Sequence, residues 1–531
     1  MTGMNRRSFL GGAAGLTTSA LAIPAFAKSS GAAQRPGRII HMVADGMSLG
    51  TLTCADYLSQ QLRQRGLTWV ELFRQPSTRR ALMNMRSLNS MVTDSAAASS
   101  SWGSGSRVKN GAINLLPNGT RLKTLYELFG DIGWKRGLVT TTEITHATPA
   151  GFAACVDHRE SAEHIALQYL DRQIEVLLGG GQKFFDPGHR KDKRNLKEEF
   201  TISGYQVMKV ASQLEQASTA WPWLGVFSDS HLPFSLDQKS NPELQKNVPQ
   251  LSVMTRRALE WLGRHEHFIL QVEGGRVDHA AHNCDAAAAL HDMLAFDEAI
   301  DEVLAFQKLR PDTLVVITTD HGNGNMGVNG SGSEYGHSSQ MFQKLAQVKL
   351  SFGEILRQLH KKPKIEQPVD DSAPPAATEV DAGAQNLSGG ERKPKTKEKP
   401  YVPSVKEIQQ IIDSATGYKV SDRRAGWFQA FLAKKGTSLY ELMNSEVVQL
   451  GQLMANHLGV GWTGNVHTSD YVPLTAIGPG AERFEGFIDN VDIFRHYTEL
   501  AKIDYRNPAG TLLASGPDAS EVERLSDYVV V

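Results

Sequence analysis

Cysteine is scarce in this chain: Cys54, Cys155 and Cys284 are the only ones in 531 residues. They show no paired metal or redox spacing, and an odd, sparse set does not make a disulfide framework. An excess of one charge is also absent, since 56 Lys and Arg stand against 57 Asp and Glu. That balance argues against a surface built to bind nucleic acid. The run Gly179-Gly180-Gly181 lacks the following Gly-Lys-Ser/Thr of a phosphate-cradling loop, so a tight turn is expected there. No Gly-x-Ser-x-Gly elbow surrounds Ser95, which removes the usual setting for a histidine-assisted serine hydrolase. Beyond the N-terminus no stretch is long and apolar enough to span a bilayer.

The N-terminus itself reads as an address. Arg6-Arg7 precede a Gly- and Ala-rich apolar run that ends Ala25-Phe26-Ala27. The pattern resembles a cleaved twin-arginine export signal over residues 1–27. The expectation is a soluble protein, periplasmic or secreted, that folds and takes up metal before export.

Apolar runs predict strands at Arg38–Ala44, Gly137–Thr142, Ile174–Leu178, Phe268–Val272, Thr313–Thr318 and Val472–Ile477. Helical patterns lie between them, including Leu52–Arg63, Val248–Arg264 and Asp285–Phe306. This alternation predicts an α/β fold, a doubly wound, mostly parallel sheet flanked by helices. The main domain is expected over 36–360. Residues 363–403 are rich in Pro, Ala, Gly, Glu and Lys and are read as a disordered linker. A helical insertion or cap follows over 404–460, with Trp427, Phe428, Phe431 and Leu432 as one apolar stripe. Residues 461–500 return to the main domain, and 501–531 form a polar tail.

Acidic and imidazole groups recur at or just after the predicted strand ends: Asp45, Glu273, Asp278, His282, Asp320 and His321. His467 stands just before another strand. Asp278 and His282 have helical-turn spacing, so both can face one ion. Asp320 and His321 are adjacent, and a turn can aim both at a second. Mixed nitrogen and oxygen ligands suit zinc, whereas carboxylates with a hydroxyl suit magnesium. Ser95, in Thr93-Asp94-Ser95-Ala96-Ala97, sits at an expected helix start whose backbone N–H groups favour an anion. Its hydroxyl needs a metal or a base to become a nucleophile.

Five blocks in order carry a resemblance: Val43-Ala44-Asp45-Gly46-Met47, Thr93-Asp94-Ser95-Ala96-Ala97, His146-Ala147-Thr148-Pro149, Glu273-Gly274-Gly275-Arg276-Val277-Asp278-His279 and Thr319-Asp320-His321. Together they resemble the alkaline phosphatases over about Arg38–His360 and Gly464–Leu500. The resemblance implies hydrolysis of small phosphate monoesters with two Zn2+ and one Mg2+. It implies Ser95 as the nucleophile that becomes a phosphoserine. Asp278, His282 and His467 would hold one zinc, and Asp45, Asp320 and His321 the other. Asp45 would bridge to a magnesium held also by Thr148 and Glu273. Arg159 would fork onto two phosphate oxygens, a planar geometry lysine cannot copy. His146 and His279 occupy variable positions near the magnesium and the phosphate, and an imidazole at 146 weakens an acidic magnesium shell. Homodimers are the common assembly. A phosphodiesterase of the same superfamily more often carries threonine at the Ser95 position. A sulfatase needs Cys or Ser followed by x-Pro-x-Arg, which Ser95 lacks. A non-catalytic phosphate- or metal-binding protein is the alternative of a different class.

Overall fold

The computed structural model describes residues 35–330, 335–361, 401–434 and 443–511. The export-signal segment 1–27, the linker up to residue 400 and the tail beyond 511 lie outside the described residues. Ten strands form one sheet: β1 Arg38–Val43, β2 Arg79–Asn84, β3 Lys135–Glu143, β4 Val176–Gly180, β5 Gln206–Met208, β6 Trp223–Val226, β7 Phe268–Glu273, β8 Thr313–Thr318, β9 Val472–Ile477 and β10 Gly486–Asp489. Their order is β10-β2-β9-β8-β1-β7-β3-β4-β6-β5. Only β9 runs antiparallel to its neighbours, β2 and β8.

The side-chain alternation of a strand explains the two-layered core. In β1, Ile40 and Met42 face one apolar cluster while Ile39 and Val43 face the other. In β8, Val315 and Ile317 join the first, and Leu314 and Val316 the second. Both faces are covered, so the central strands read as unbroken apolar runs. The helices Val405–Thr416, Asp422–Leu432 and Glu446–Leu458 join the first cluster through Ile408, Ile412, Phe428 and Leu450. The expected stripe is narrower than its composition suggests. Phe428 and Leu432 are buried, four residues apart on one face, but Trp427 is 50% exposed because it points a third of a turn away.

Four strands escape a reading by apolar runs: β5 and β6 are only three and four residues long, and β2 and β10 lack the pattern for other reasons. β2 (Arg-Arg-Ala-Leu-Met-Asn) has one face in solvent, and β10 is a four-residue edge strand. Gly179 and Gly180 belong to β4; only Gly181 makes the expected turn, at a φ of 89°.

The small residues after Ser95 have a packing reason. The helices Ser95–Ser104 and Ala147–Ala153 touch almost backbone to backbone. A Cβ placed on Gly103 would run into the Gly151 carbonyl oxygen. Gly103→Ala should therefore push these helices apart. We expect a loss of about 1–3 kcal/mol in stability, read by denaturant unfolding. Turnover should fall as well, because Ser95 and Thr148 sit on the two displaced helices; a variant as stable and as active as the parent would contradict this packing.

Candidate active site

Three adjacent strands deliver the acidic groups. β1 pairs in parallel with β7 and β8, so that Val43 lies beside both Glu273 and Thr318. The carboxyl ends of these strands therefore place Asp45, Glu273 and Asp320 side by side, where open α/β sheets bind ligands. Gly46 makes the turn after Asp45 at a φ of 67°, and its N–H donates to Asp320 Oδ1 at 3.0 Å. A Cβ there would strike the Asp278 carboxylate. The helix Arg276–His282, which begins just after β7, carries Asp278 and His282. His467 reaches the same place through a two-residue antiparallel ladder, with His467 opposite Asn323 and Thr468 opposite Gly322.

Asp94, read from the sequence only as part of the Thr93–Ala97 block at a helix start, organises the nucleophile side. Its Oδ1 accepts the Ala97 N–H at 2.9 Å and so caps the helix that begins at Ser95. Its Oδ2 accepts the Gly111 N–H at 2.9 Å and Arg159 Nη1 at 3.2 Å. One carboxylate thus fixes both the start of the Ser95 helix and the guanidinium of Arg159. The adjacent Thr93 carbonyl accepts from His467 Nδ1 at 3.0 Å. An aspartate immediately before a helix-starting serine was the available signal for this role.

The imidazole tautomers follow from these contacts. His282 Nδ1 lies 2.7 Å from the Asn465 carbonyl, and His321 Nδ1 lies 3.3 Å from that of Gly322. A carbonyl can only accept, so in neutral His282, His321 and His467 the proton sits on Nδ1 and Nε2 keeps a lone pair. Those lone pairs converge on other acceptors. His282 Nε2 is 3.1 Å from His467 Nε2 and 3.3 Å from Asp278 Oδ2. His321 Nε2 is 3.3 Å from Asp320 Oδ2, 3.6 Å from Asp45 Oδ1 and 3.3 Å from Ser95 Oγ. Ser95 Oγ–H can donate to His321 Nε2, but the facing acceptors among the histidines and carboxylates need a proton or a metal ion between them.

A second observation agrees. Both oxygens of Asp45, Oδ2 of Asp320, Oε1 of Glu273 and Oγ1 of Thr148 are buried without a hydrogen-bond partner. Buried polar atoms are rarely left so. Three groups bring metal-ligating atoms together: Asp278, His282 and His467; Asp45, Asp320 and His321; and Asp45, His146 and Glu273. The residues fit divalent cations at each, and Asp45 belongs to two of the groups.

The electrostatics tell the same story with protons in place of metal. Burial, then the neighbouring charges of Asp320, Asp278 and Glu273, holds the Asp45 carboxyl well above its usual range. Burial and Asp278 push Asp320 up to about 7. Burial also lifts Glu273, against hydrogen bonds from Thr140 and Thr142. For Asp278 burial acts upward too, but His282 and His467 outweigh it and hold the carboxyl well below its usual range. His282 is raised: burial opposes its charge, and the Asp278 carboxylate overcomes it.

His146 behaves differently. Arg159 Nη2 lies 3.1 Å from His146 Nε2, and a guanidinium can only donate. Neutral His146 then carries its proton on Nδ1, which is buried without a partner. In this arrangement it offers a donor, so oxygen ligands are left to hold an ion at the third group. Burial, followed by the Arg159 charge, keeps His146 well below its ordinary value. His279 stands 5.6 Å from His146, ring to ring, and His231 packs 4.4 Å from His279. His231 is a member of this cluster that the sequence did not single out.

Ser95, His146, Arg159, Asp278, His279, His282 and His467 line one cavity of about 680 Å³, with Val92, Glu160 and Val466 completing its wall. Of the site residues singled out from the sequence that do not line this cavity, Asp45, Glu273, Asp320 and His321 belong to the metal-ligating groups, and Thr148 has its hydroxyl buried without a partner.

Comparison with known proteins gives consistent results. The family model described as Alkaline phosphatase matches residues 37–503. The protein Alkaline phosphatase 4 of Bacillus subtilis (strain 168) is 30% identical over 408 residues, covering 76% of this chain and 75% of that one. The crystal structure of Thermus thermophilus alkaline phosphatase superposes with a TM-score of 0.76 at 31% identity, covering 90% of this chain and 94% of the other. The cold-active enzyme of the psychrophile Shewanella sp. gives 0.67 at 25% identity, over 87% and 99% of the two chains.

Proposed function

This enzyme belongs to the alkaline phosphatase family, and from that premise we propose that it hydrolyses phosphate monoesters through a phosphoserine at Ser95, with two zinc ions and one magnesium ion as cofactors. The observation that carries the reading is the convergence at His321 Nε2, 3.3 Å from Ser95 Oγ, of oxygens of Asp45 and Asp320 that have no hydrogen-bond partner.

Each residue has a task in this scheme. Asp278, His282 and His467 hold one zinc, Asp45, Asp320 and His321 the other, and Asp45, Thr148 and Glu273 the magnesium. Bound metal supplies Lewis acidity that lowers the serine pKa and neutralises the leaving oxygen. Ser95 Oγ attacks phosphorus in line; the P–O bond to the alcohol breaks as the new one forms. Water then attacks the phosphorus of the phosphoserine, the Oγ–P bond breaks, inorganic phosphate leaves, and Ser95 Oγ takes back a proton. Arg159, held by Asp94, offers its fork to two phosphate oxygens. His279 stands on the phosphate side of the cavity as a further donor. In this scheme His321 is not the base for Ser95, because its Nε2 lone pair would go to the ion it holds together with Asp45 and Asp320. Export by the twin-arginine route to the periplasm or beyond, and a homodimeric assembly, complete the proposal.

The test is a substrate panel run before and after metal removal. An aryl phosphate monoester should be turned over far faster than the matching diester or sulfate. Chelation should abolish that turnover and added zinc should restore it. Full activity in verified metal-free protein, or a preference for the diester, would overturn the reading.

A further inference from the structure

Arg276 opens the helix that carries Asp278 and His282, yet it belongs to none of the metal groups. Its guanidinium lies over the Phe234 ring, 3.9 Å from the centroid. Its backbone N–H donates to Thr141 Oγ1 at 3.2 Å, which fixes the start of the side chain. Among the described residues it forms no ion pair. Asp292, Asp237 and Glu143 compensate its charge only at longer range. Its Nε is buried without a partner. The guanidinium's hydrogen bond goes to one place: Nη1 donates to His279 Nδ1 at 2.7 Å.

The direction of that bond is not open to choice. Arginine has donors and no acceptor, so His279 Nδ1 must accept. Neutral His279 then carries its proton on Nε2, the nitrogen that makes no hydrogen bond among the described residues. His279 lines the same cavity as Ser95 and Arg159. The ring is held on its sides by His231 at 4.4 Å and His146 at 5.6 Å. His231 cannot compete for the Arg276 bond, because its own Nδ1 accepts the Glu143 N–H at 3.2 Å.

We propose that Arg276 is a positioning residue for phosphate binding: it locks His279 in the tautomer whose Nε2–H donates to an oxygen of the bound phosphoryl group. The proposal rests on the phosphomonoesterase reading above. Arg276 itself need not touch the phosphate. Without it, His279 is free to place its proton on Nδ1 and to present a lone pair to an anion, which turns an attraction into a repulsion.

The test uses the metal-loaded enzyme and inorganic phosphate, with binding read by titration calorimetry and metal content verified for each protein. R276M should weaken phosphate binding about tenfold, the scale of one hydrogen bond to a charged acceptor. H279A should weaken it to a similar degree. In the H279A background R276M should add nothing, since a residue acting through His279 has nothing left to act on. R276K, which keeps a donor, should recover most of the affinity. Additive losses in the double variant, or unchanged phosphate affinity in R276M, would overturn the proposal. A second measurement requires no folded Arg276 variant. In enzyme labelled with ¹⁵N-histidine, the His279 resonances, assigned by their loss in H279A, should show a bare Nδ1 and a protonated Nε2; the opposite pattern overturns it. Failure of the underlying reading looks different: wild-type enzyme would then ignore phosphate monoesters whatever its affinity for phosphate.

Discussion

Ser95→Ala should lose phosphatase turnover by about 10³-fold or more while remaining folded and metal-loaded, the scale expected when a nucleophile is removed from a site that acts as a unit. Stability should change little. Ser95 Oγ makes one weak contact within the chain, 3.3 Å to His321 Nε2. The helix start depends on Asp94, which caps through its own side chain and is untouched by the substitution. Alanine is also a better helix residue than serine at the first turn of a packed helix. Two measurements check the result. Steady-state rates on an aryl phosphate give the loss. Acid quenching during turnover should yield a phosphorylated Ser95 peptide from the parent and none from the variant. An S95A enzyme with near-parental kcat would remove the phosphoserine from the mechanism.

Asp45→Asn should act in opposite directions on the loaded and the metal-free protein. Asp45 belongs to two metal groups, and both of its oxygens are buried without a protein partner. With metals present, the substitution removes a negatively charged ligand from both. Activity should fall by about 10³-fold, equivalent to about 4 kcal/mol of barrier. Bound metal per chain, measured by atomic emission, should fall with it. Without metals the sign reverses. Asp45 is then a buried carboxylate pressed by Asp320, Asp278 and Glu273. A neutral amide of the same shape removes that repulsion and brings a donor to the cluster. The metal-free variant should be more stable than the metal-free parent by about 1–2 kcal/mol.

The pH dependence of that gain has a definite sign. The folded carboxyl of Asp45 is raised above its unfolded value, so the folded parent binds more protons and loses stability as pH rises between the two. Below the unfolded value, about 4, parent and variant should be equally stable. The difference should open as the pH climbs from there toward neutrality. Denaturant unfolding of both chelated proteins across that range measures it. A metal-free D45N protein less stable than its parent at neutral pH would mean that these carboxylates are not repelling one another.

The positions of the site were written locally to an unusual degree. Each of Asp45, Glu273 and Asp320 follows an apolar run long enough to mark a buried strand, and parallel strands end where ligands bind. Asp278 and His282 share a helix face through their four-residue spacing. What could not be read was the company each keeps. Asp94 looked like one cap among many until Arg159 was found on its second oxygen. Neither β2 nor β10 has the apolar pattern of a central strand, because one faces solvent and the other is an edge. His231 belongs to no motif, and Arg276 lies within the Glu273–His279 block without a role of its own there; only their packing against His279 singles them out.

By itself, then, the sequence determined the six strands with long apolar runs and the helices between them, the family, and which side chains could bind metal. These depend on hydrophobic periodicity and on residue type, which are properties of short segments. The tertiary structure decided the order of strands around β1, the antiparallel entry of β9, and the ladder that carries His467 to Asn323. It also decided which nitrogen of each histidine holds a lone pair, because a tautomer is set by the hydrogen bond at the far side of the ring. For His282 and His467 that bond comes from residues remote in sequence, Asn465 and Thr93, whereas for His321 and His279 it comes from the near neighbours Gly322 and Arg276. A linear pattern names the ligands, but only packing across the sheet can aim their lone pairs at a common point.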